Sequence, residues 1–249
     1  MSELWRLSAQ RSQEFDAAAV AYDRHRPRYP DGLFDDIVEL GELKPGESAI
    51  EIGAGTGIAT GPLISRGLQV IAIEPAPAMA SIANEKFGST ARFVNGRFED
   101  WPPTESTELI AAFNAWHWVE PDKGVSLAAQ LLSPGGSLAL VWTDVVSWGE
   151  DGFEARLAEV TGSPWPKRLD HVLASLQPVR TNEHFDDFRV RHHRFERRLD
   201  AVSFIAVTRT YGGHHTLERD EIIRQLIEDE FEGAVTKVED AVLYLARRR

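Results

Sequence analysis

The stretch Ala49-Ile50-Glu51-Ile52-Gly53-Ala54-Gly55-Thr56-Gly57 joins a short apolar run to a turn with glycine at every second position. An apolar run bounded by glycine reads as a buried strand, and the residues after Gly57 read as a helix. Glycines here permit left-handed backbone angles and let a ligand approach where a side chain would clash, while the first turn of a helix offers amide donors. The same pattern also suits a tight strand-to-helix connection with no ligand. A dinucleotide fingerprint, G-x-G-x-x-G, requires glycine at position 58, where this chain has Ile58.

Working outward, Ile58 to Arg66 is the expected first crossover helix, and Gln69 to Ile73 the second strand. Glu74 closes that strand about twenty positions past the first glycine, the spacing of a ribose-hydroxyl acceptor. A carboxylate there can instead cap the helix that Pro75 and Pro77 begin. Arg92 to Asn95, Glu108 to Phe113 and Ser137 to Trp142 repeat the strand signal, with a helix over Asp122 to Leu132. Leu217 to Phe231 reads as a closing helix and Ala241 to Leu245 as a terminal strand. Strands alternating with helices predict an α/β fold around a parallel sheet, whose ligands collect at the strands' C-terminal ends. The fourth strand delivers Asn114-Ala115-Trp116-His117-Trp118 to that edge. His117 is the candidate for a catalytic or substrate-orienting group, or else a packed histidine supporting the strand end.

The pattern E-x-G-x-G-x-G, with Glu51 just inside the strand, resembles motif I of the class I S-adenosylmethionine-dependent methyltransferases. The L-x-P-G-G turn at Leu132 to Gly136 and the Ala115-Trp116-His117-Trp118 run are similar to that family's later motifs. The chemistry agrees, since this cofactor has no phosphate to seek bare helix amides but carries an ammonium that a carboxylate can hold. The resemblance implies a Rossmann-like, seven-stranded, mostly parallel sheet with helices on both faces and an antiparallel last strand. It implies cofactor contacts from Glu51, Gly53, Ala54, Gly55 and Gly57, from Glu74 and Pro75 at the ribose, and from Asn114 and Ala115 at the methionine part. The segment Gly96-Arg97-Phe98-Glu99-Asp100-Trp101 resembles the one bordering adenine, which gives Glu99 the exocyclic amino group and the Phe98 backbone a ring nitrogen. Met79 would pack on the adenine face, although a methionine in an amphipathic helix also serves as core.

Ser12 to His25 is expected as a helix, because Phe15, Ala18, Tyr22 and His25 share one face. Pro27 and Pro30 hold the following Arg26-Pro27-Arg28-Tyr29-Pro30 strip out of a helix. This is a surface linker with solvated arginines or a lid. Its pattern is similar to the N-terminal lid of a small-molecule branch that includes the trans-aconitate type, which places Arg28 on the cofactor and Tyr22 and Tyr29 at the substrate. Thr208-Arg209-Thr210-Tyr211 also resembles that branch, with Arg209 and Tyr211 near the substrate entrance. Trp116, His117 and Trp142 complete the expected substrate set.

The chain has 249 residues, 43% of them hydrophobic, with no cysteine and 27 basic against 39 acidic residues, a net charge of −12. This balance argues against a surface for nucleic acid or anionic lipid, and the lack of cysteine rules out disulfides and thiolate metal sites. No apolar run reaches membrane-spanning length and the opening Met1 to Arg6 lacks signal-peptide regions, so a soluble cytoplasmic protein is expected. We expect a single domain over 1–249, a lid at about 1–44, a cap insertion at about 145–185, and a monomer or homodimer. Arg189 to Arg198 reads as a strand with one solvated basic face.

Three functions fit: methyl transfer from S-adenosylmethionine to a small molecule, binding of that cofactor without chemistry, and nicotinamide-dependent oxidoreduction. Ile58 weighs against the last. O-methylation of a carboxylate or hydroxyl is favoured, with no metal. A carboxylate acceptor arrives ionised and needs only cations such as Arg28 and Arg209, whereas a hydroxyl needs a base, for which His117 is the candidate.

Overall fold

Period-two alternation assigns each strand residue to one of two cores, and in the first strand Ala49 points into one while Ile50 and Ile52 point into the other. The computed structural model of the chain describes residues 7–102, 105–162, 169–211 and 216–249. Its strands are β1 (Ser48–Ile52), β2 (Gln69–Glu74), β3 (Arg92–Asn95), β4 (Thr107–Phe113), β5 (Leu132–Trp148), β6 (Phe185–Asp200) and β7 (Ala234–Arg248). They form a 7-stranded sheet in the order β3-β2-β1-β4-β5-β7-β6. β1 to β5 are mutually parallel, and β7 runs antiparallel to both β5 and β6. The expected Rossmann-like sheet is therefore present, antiparallel last strand included.

After β3 the chain returns to the other side of β1, so β1 and β4 flank a switch point at which an α/β sheet opens a crevice. On one face α3 (Asp31–Leu40) and α4 (Thr60–Ser65) bury Leu33, Phe34, Ile37 and Leu63 against Val70, Leu109 and Leu243. On the other, α6 (Pro121–Leu131) and α8 (Leu169–Thr181) bury Val125, Leu131, Val172 and Leu176 against Ile110, Leu138 and Leu140. α5 (Pro77–Phe87) starts at Pro77, where the missing N–H costs nothing.

The N-terminal helix expected over Ser12 to His25 is two helices, α1 (Ser8–Ala17) and α2 (Ala19–His25), broken at Ala18. There the Ala18 N–H bonds to Phe15 O at 3.1 Å, a tightened turn that bends the chain while Phe15 and Tyr22 still meet edge to face at 6.1 Å.

The fifth strand outruns its expected end at Trp142, because β7 supplies partners as far as the Trp148–Lys237 pair. Beyond the parallel strands, β5, β6 and β7 thus continue as a three-stranded antiparallel extension. Against it pack α7 (Phe153–Thr161), α9 (Ala201–Arg209) and α10 (Leu217–Glu230), with Phe153, Leu157, Phe204 and Ile227 at the centre of a separate core. Of segment 145–185, expected as a cap insertion, the described residues include the end of β5, α7 and α8, and α8 packs against the Trp116–Trp118 turn. Pro164, Trp165 and Pro166 lie outside the described residues. No described helix is long and apolar enough to cross a membrane.

Gly57 has φ +82°, and a Cβ there would sit 2.9 Å from Phe87 and 3.3 Å from Ala83. Gly57→Ala is expected to lower unfolding free energy by about 1–3 kcal/mol, read as a fall in the urea midpoint with unchanged slope.

Candidate functional site

At the C-terminal ends of β1, β2 and β4 lies a cavity of about 480 Å³. Its floor is the glycine turn, where Gly53 at φ +64° approaches so closely that a Cβ would fall 2.5 Å from that of Ala115. Ile73 O receives both the Gly53 and Ala54 amides at 2.8 and 3.1 Å, which pins this turn to the end of β2.

Glu74 stands at the centre. Its Oε2 accepts from Gly55 N and its Oε1 from Ala76 N, both at 2.8 Å, so one buried carboxylate joins two strand-to-helix turns. Burial pushes this carboxyl up to about 7, against the pull of the two amides. Each oxygen retains a lone pair for a ligand hydroxyl. Glu51 is 1% exposed, its Oε2 accepting from the Thr60 hydroxyl at 2.5 Å, and burial raises it to about 8, with Glu74 adding repulsion.

At the other end, Phe98 is buried and lines the cavity beside Glu99. Burial works to raise the Glu99 carboxyl, but the Arg97 guanidinium at 2.8 Å and the Glu120 amide at 3.0 Å outweigh it and hold it below the usual range. Both bonds fall on Oε1.

Asn114 follows β4 with φ +53°, a conformation costly for a non-glycine residue and held here by three bonds. Its N–H reaches Val141 O at 2.7 Å, its Oδ1 accepts from Thr143 N at 2.9 Å, and its Nδ2 donates to the Tyr29 hydroxyl at 2.9 Å. The Tyr29 ring lies 5.2 Å from that of Phe113, and burial raises its phenol.

The N-terminal helices roof the cavity with Ser12, Phe15, Asp16 and Tyr22. Asp16 Oδ1 takes the Ala78 amide at the start of α5 at 2.5 Å, a helix-capping contact. Asp23 pairs with Lys86, which also donates to Thr56 O at 3.1 Å. Arg26 donates to Thr210 O at 2.8 Å, its guanidinium lying 4.7 Å from the Tyr22 ring centre and 4.1 Å from that of Tyr211.

A second cavity, of about 40 Å³, opens between Arg26, Tyr29, Tyr211, Glu239 and the glycine turn. Tyr22, Gly53, Gly55, Phe113 and Asn114 line both.

Of the residues singled out in sequence, Tyr22, Gly53, Gly55, Glu74, Pro75, Met79, Phe98, Glu99, Asn114 and Ala115 line the larger cavity, and Tyr29, Glu51, Ala54 and Tyr211 the smaller. Six lie at neither. Gly57 packs on Phe87, and Trp116 is buried 6.3 Å from Phe98. Trp142 donates its indole N–H to His117 Nδ1 at 3.2 Å, which turns the imidazole toward the sheet and away from both cavities. Arg209 closes α9 by pairing with Asp220 on α10. Arg28 is turned to solvent, 58% exposed and donating to Asp23 O at 3.2 Å. Arg26, Trp118, Thr143 and Glu239 escaped the sequence reading, although Trp118 belongs to the quoted aromatic run and Arg26 to the proline strip. Among the described residues no group of His, Asp and Glu is arranged to hold a metal.

The methyltransferase domain family matches residues 50–140, the span from within β1 to the middle of β5. An uncharacterized methyltransferase of Mycobacterium tuberculosis is 35% identical over 132 residues, 53% of this chain and 52% of the relative. One from Geobacillus kaustophilus is 32% identical over 159 residues, 61% of this chain and 72% of the relative. The chain belongs to this methyltransferase family. It spans about half the length of the mycobacterial relatives it matches. The solved SAM-dependent methyltransferase from Thiobacillus denitrificans, in complex with S-adenosylhomocysteine, shares the fold at a TM-score of 0.51 and 16% identity, covering 92% of this chain and 97% of its own.

Burial raises both carboxyls above the ordinary glutamate value of about 4.5 that holds in an unfolded chain. The folded state therefore binds more protons between that value and about 7 to 8, and the two groups' contribution to stability falls as pH rises through this window. The ligand-free protein is expected to lose melting temperature from pH 5 to pH 8 by way of these groups, with Glu51→Gln flattening the profile measured by thermal denaturation.

Proposed function

We propose that the protein is an S-adenosylmethionine-dependent methyltransferase acting on a small molecule, with O-methylation of a carboxylate or hydroxyl favoured. The observation that carries this reading is the buried Glu74 carboxylate, braced by Gly55 N and Ala76 N at the floor of a 480 Å³ cavity. Two acceptor oxygens fixed by backbone suit the vicinal hydroxyls of a ribose. Glu99, with the Arg97 and Glu120 bonds on Oε1, offers Oε2 to an adenine amino group, and Phe98 and Met79 offer apolar surface to the ring. Glu51, ionised once a cation arrives, suits the ammonium of the methionine part. These residues fit the cofactor from end to end.

When bound, S-adenosylmethionine supplies a methyl carbon on a sulfonium that is its own leaving group. The chain's part is to orient the acceptor's lone pair in line with that carbon and to exclude water, for which Phe15, Tyr22 and Trp118 supply the apolar enclosure. His117, with Nδ1 engaged by Trp142, acts in this reading as a support of the strand end. A carboxylate acceptor needs no base. The net charge of −12 favours a small acceptor over nucleic acid.

Titration calorimetry is expected to show binding of S-adenosylmethionine or S-adenosylhomocysteine and none of NAD; the reverse would overturn the reading. Glu74→Ala is expected to weaken S-adenosylhomocysteine at least about tenfold, since hydrogen bonds to a charged group are worth about 1.5–3 kcal/mol. A methyl-transfer screen over small acids, phenols and amines identifies the acceptor class.

A further inference from the structure

We propose that Arg97 is a positioning residue that sets the base selectivity of the larger cavity, holding Glu99 so that an acceptor oxygen faces the 6-position of a bound purine. This rests on the cofactor reading above for the identity of the cavity's ligand. The arrangement is local in origin. Arg97 is extended, with φ −96° and ψ 149°, at the start of the short 3-10 turn Phe98–Asp100, and its side chain leaves the chain two positions before that of Glu99. Arg97 Nη2 then reaches Glu99 Oε1 at 2.8 Å, and both residues line the larger cavity.

Exposure separates this pair from an ordinary surface ion pair. The Glu99 side chain is 6% exposed and that of Arg97 37%. A carboxylate so enclosed cannot draw a replacement donor from water, so it depends on the cation beside it. Burial works to push Glu99 toward its neutral form, which both donates and accepts, whereas Arg97 and the Glu120 amide hold it ionised and acceptor-only. The further charges that act on Arg97, Asp100 and Glu120, are both acidic, so neither can replace it beside Glu99.

The second brace comes from another part of the chain. The Glu120 N–H, at the cap of α6, donates to the same Oε1 at 3.0 Å. Two donors converging on one oxygen fix the tilt of the carboxyl plane and demand an acceptor at that point, and Oε2 is the atom left for a ligand. An amide in place of the carboxylate would have to meet the same two donors with its single carbonyl oxygen, so its amino group would face the cavity. Arg97 thereby decides whether position 99 reads a base as acceptor or as donor. The purine 6-position distinguishes the two cases, because the amino group of adenine donates there and an oxo group accepts.

The test titrates S-adenosylhomocysteine and its 6-oxo analogue, S-inosylhomocysteine, by calorimetry into wild type, Arg97→Met, Arg97→Lys, Glu99→Gln and the double variant of Arg97→Met with Glu99→Gln, with thermal denaturation checking each fold. The rest of the ligand meets the same groups in every protein, so a change in the ratio of the two affinities reports on the 6-position. Wild type is expected to prefer the adenosyl compound at least about tenfold. Arg97→Met is expected to cut that preference at least about threefold, with Arg97→Lys between the two because lysine keeps the charge and loses the planar fork. Glu99→Gln is expected to shift the ratio toward the inosyl compound at least about tenfold relative to wild type, and the double variant to lose most of that shift because its amide is free to turn. Arg97→Gln carries the same expectation as Arg97→Met and stands in should that variant unfold. A ratio unchanged from wild type in Arg97→Met or in Glu99→Gln overturns the proposal and leaves the cofactor reading intact. So does a Glu99→Gln shift that loss of Arg97 does not diminish, the result for an arginine that touches the base itself or only supports the turn. Wild type that binds neither compound overturns the cofactor reading, and the role of Arg97 in base selection falls with it.

Discussion

The site is organised by the burial of one carboxylate. Glu74 takes the Gly55 and Ala76 amides on its side chain, while its main-chain oxygen takes Asn95 Nδ2 at 2.9 Å and Gly96 N at 3.2 Å. One residue thereby ties together the turns that follow β1, β2 and β3. The desolvation that raises its carboxyl to about 7 is the cost of this arrangement, offset in part by two amides that already point at it. An acceptor built this way is rigid before a ligand arrives, so little ordering remains to be done on binding.

Around that fixed floor, the walls come from distant parts of the chain. The roof is attached by polar contacts at its ends, Asp16 on α5, Asp23 on Lys86 and Arg26 on Thr210, with Phe15 and Tyr22 between them. On the opposite side, the antiparallel extension of β5 to β7 brings Thr143 and Glu239 to the smaller cavity. Its own core of Phe153, Phe204 and Ile227 holds these strands in place beyond the parallel sheet. The smaller cavity thus lies between the N-terminal segment and the C-terminal strands, with the glycine turn beneath.

The legible part of the site was the part encoded locally. Gly53, Gly55 and Glu74 fall at fixed spacings because a strand, a tight turn and a helix repeat with little freedom, and all three line the larger cavity. Side-chain direction in irregular segments was not legible. In the Trp116–Trp118 turn, Trp118 faces the cavity, Trp116 enters the core and His117 turns to Trp142, an outcome set by a short 3-10 geometry that no periodicity announces. Arg26 and Arg28 differ by two positions in the same proline strip. Arg26 reaches Thr210, 184 positions away, whereas Arg28 falls back on Asp23 five positions earlier.

By itself, the sequence determined the alternation of strands and helices, the cofactor-side turn and the acidic residue after β2, because hydrophobic period, glycine conformation and strand-end spacing act over a few residues. Tertiary structure alone decided which arginine faces inward, which aromatic of the post-β4 run lines the cavity, and that Glu239 and Lys237 from the last strand stand beside the first helices. Those outcomes depend on which buried donors and acceptors find one another across the fold, and an unmatched buried polar group costs more than any local preference can repay.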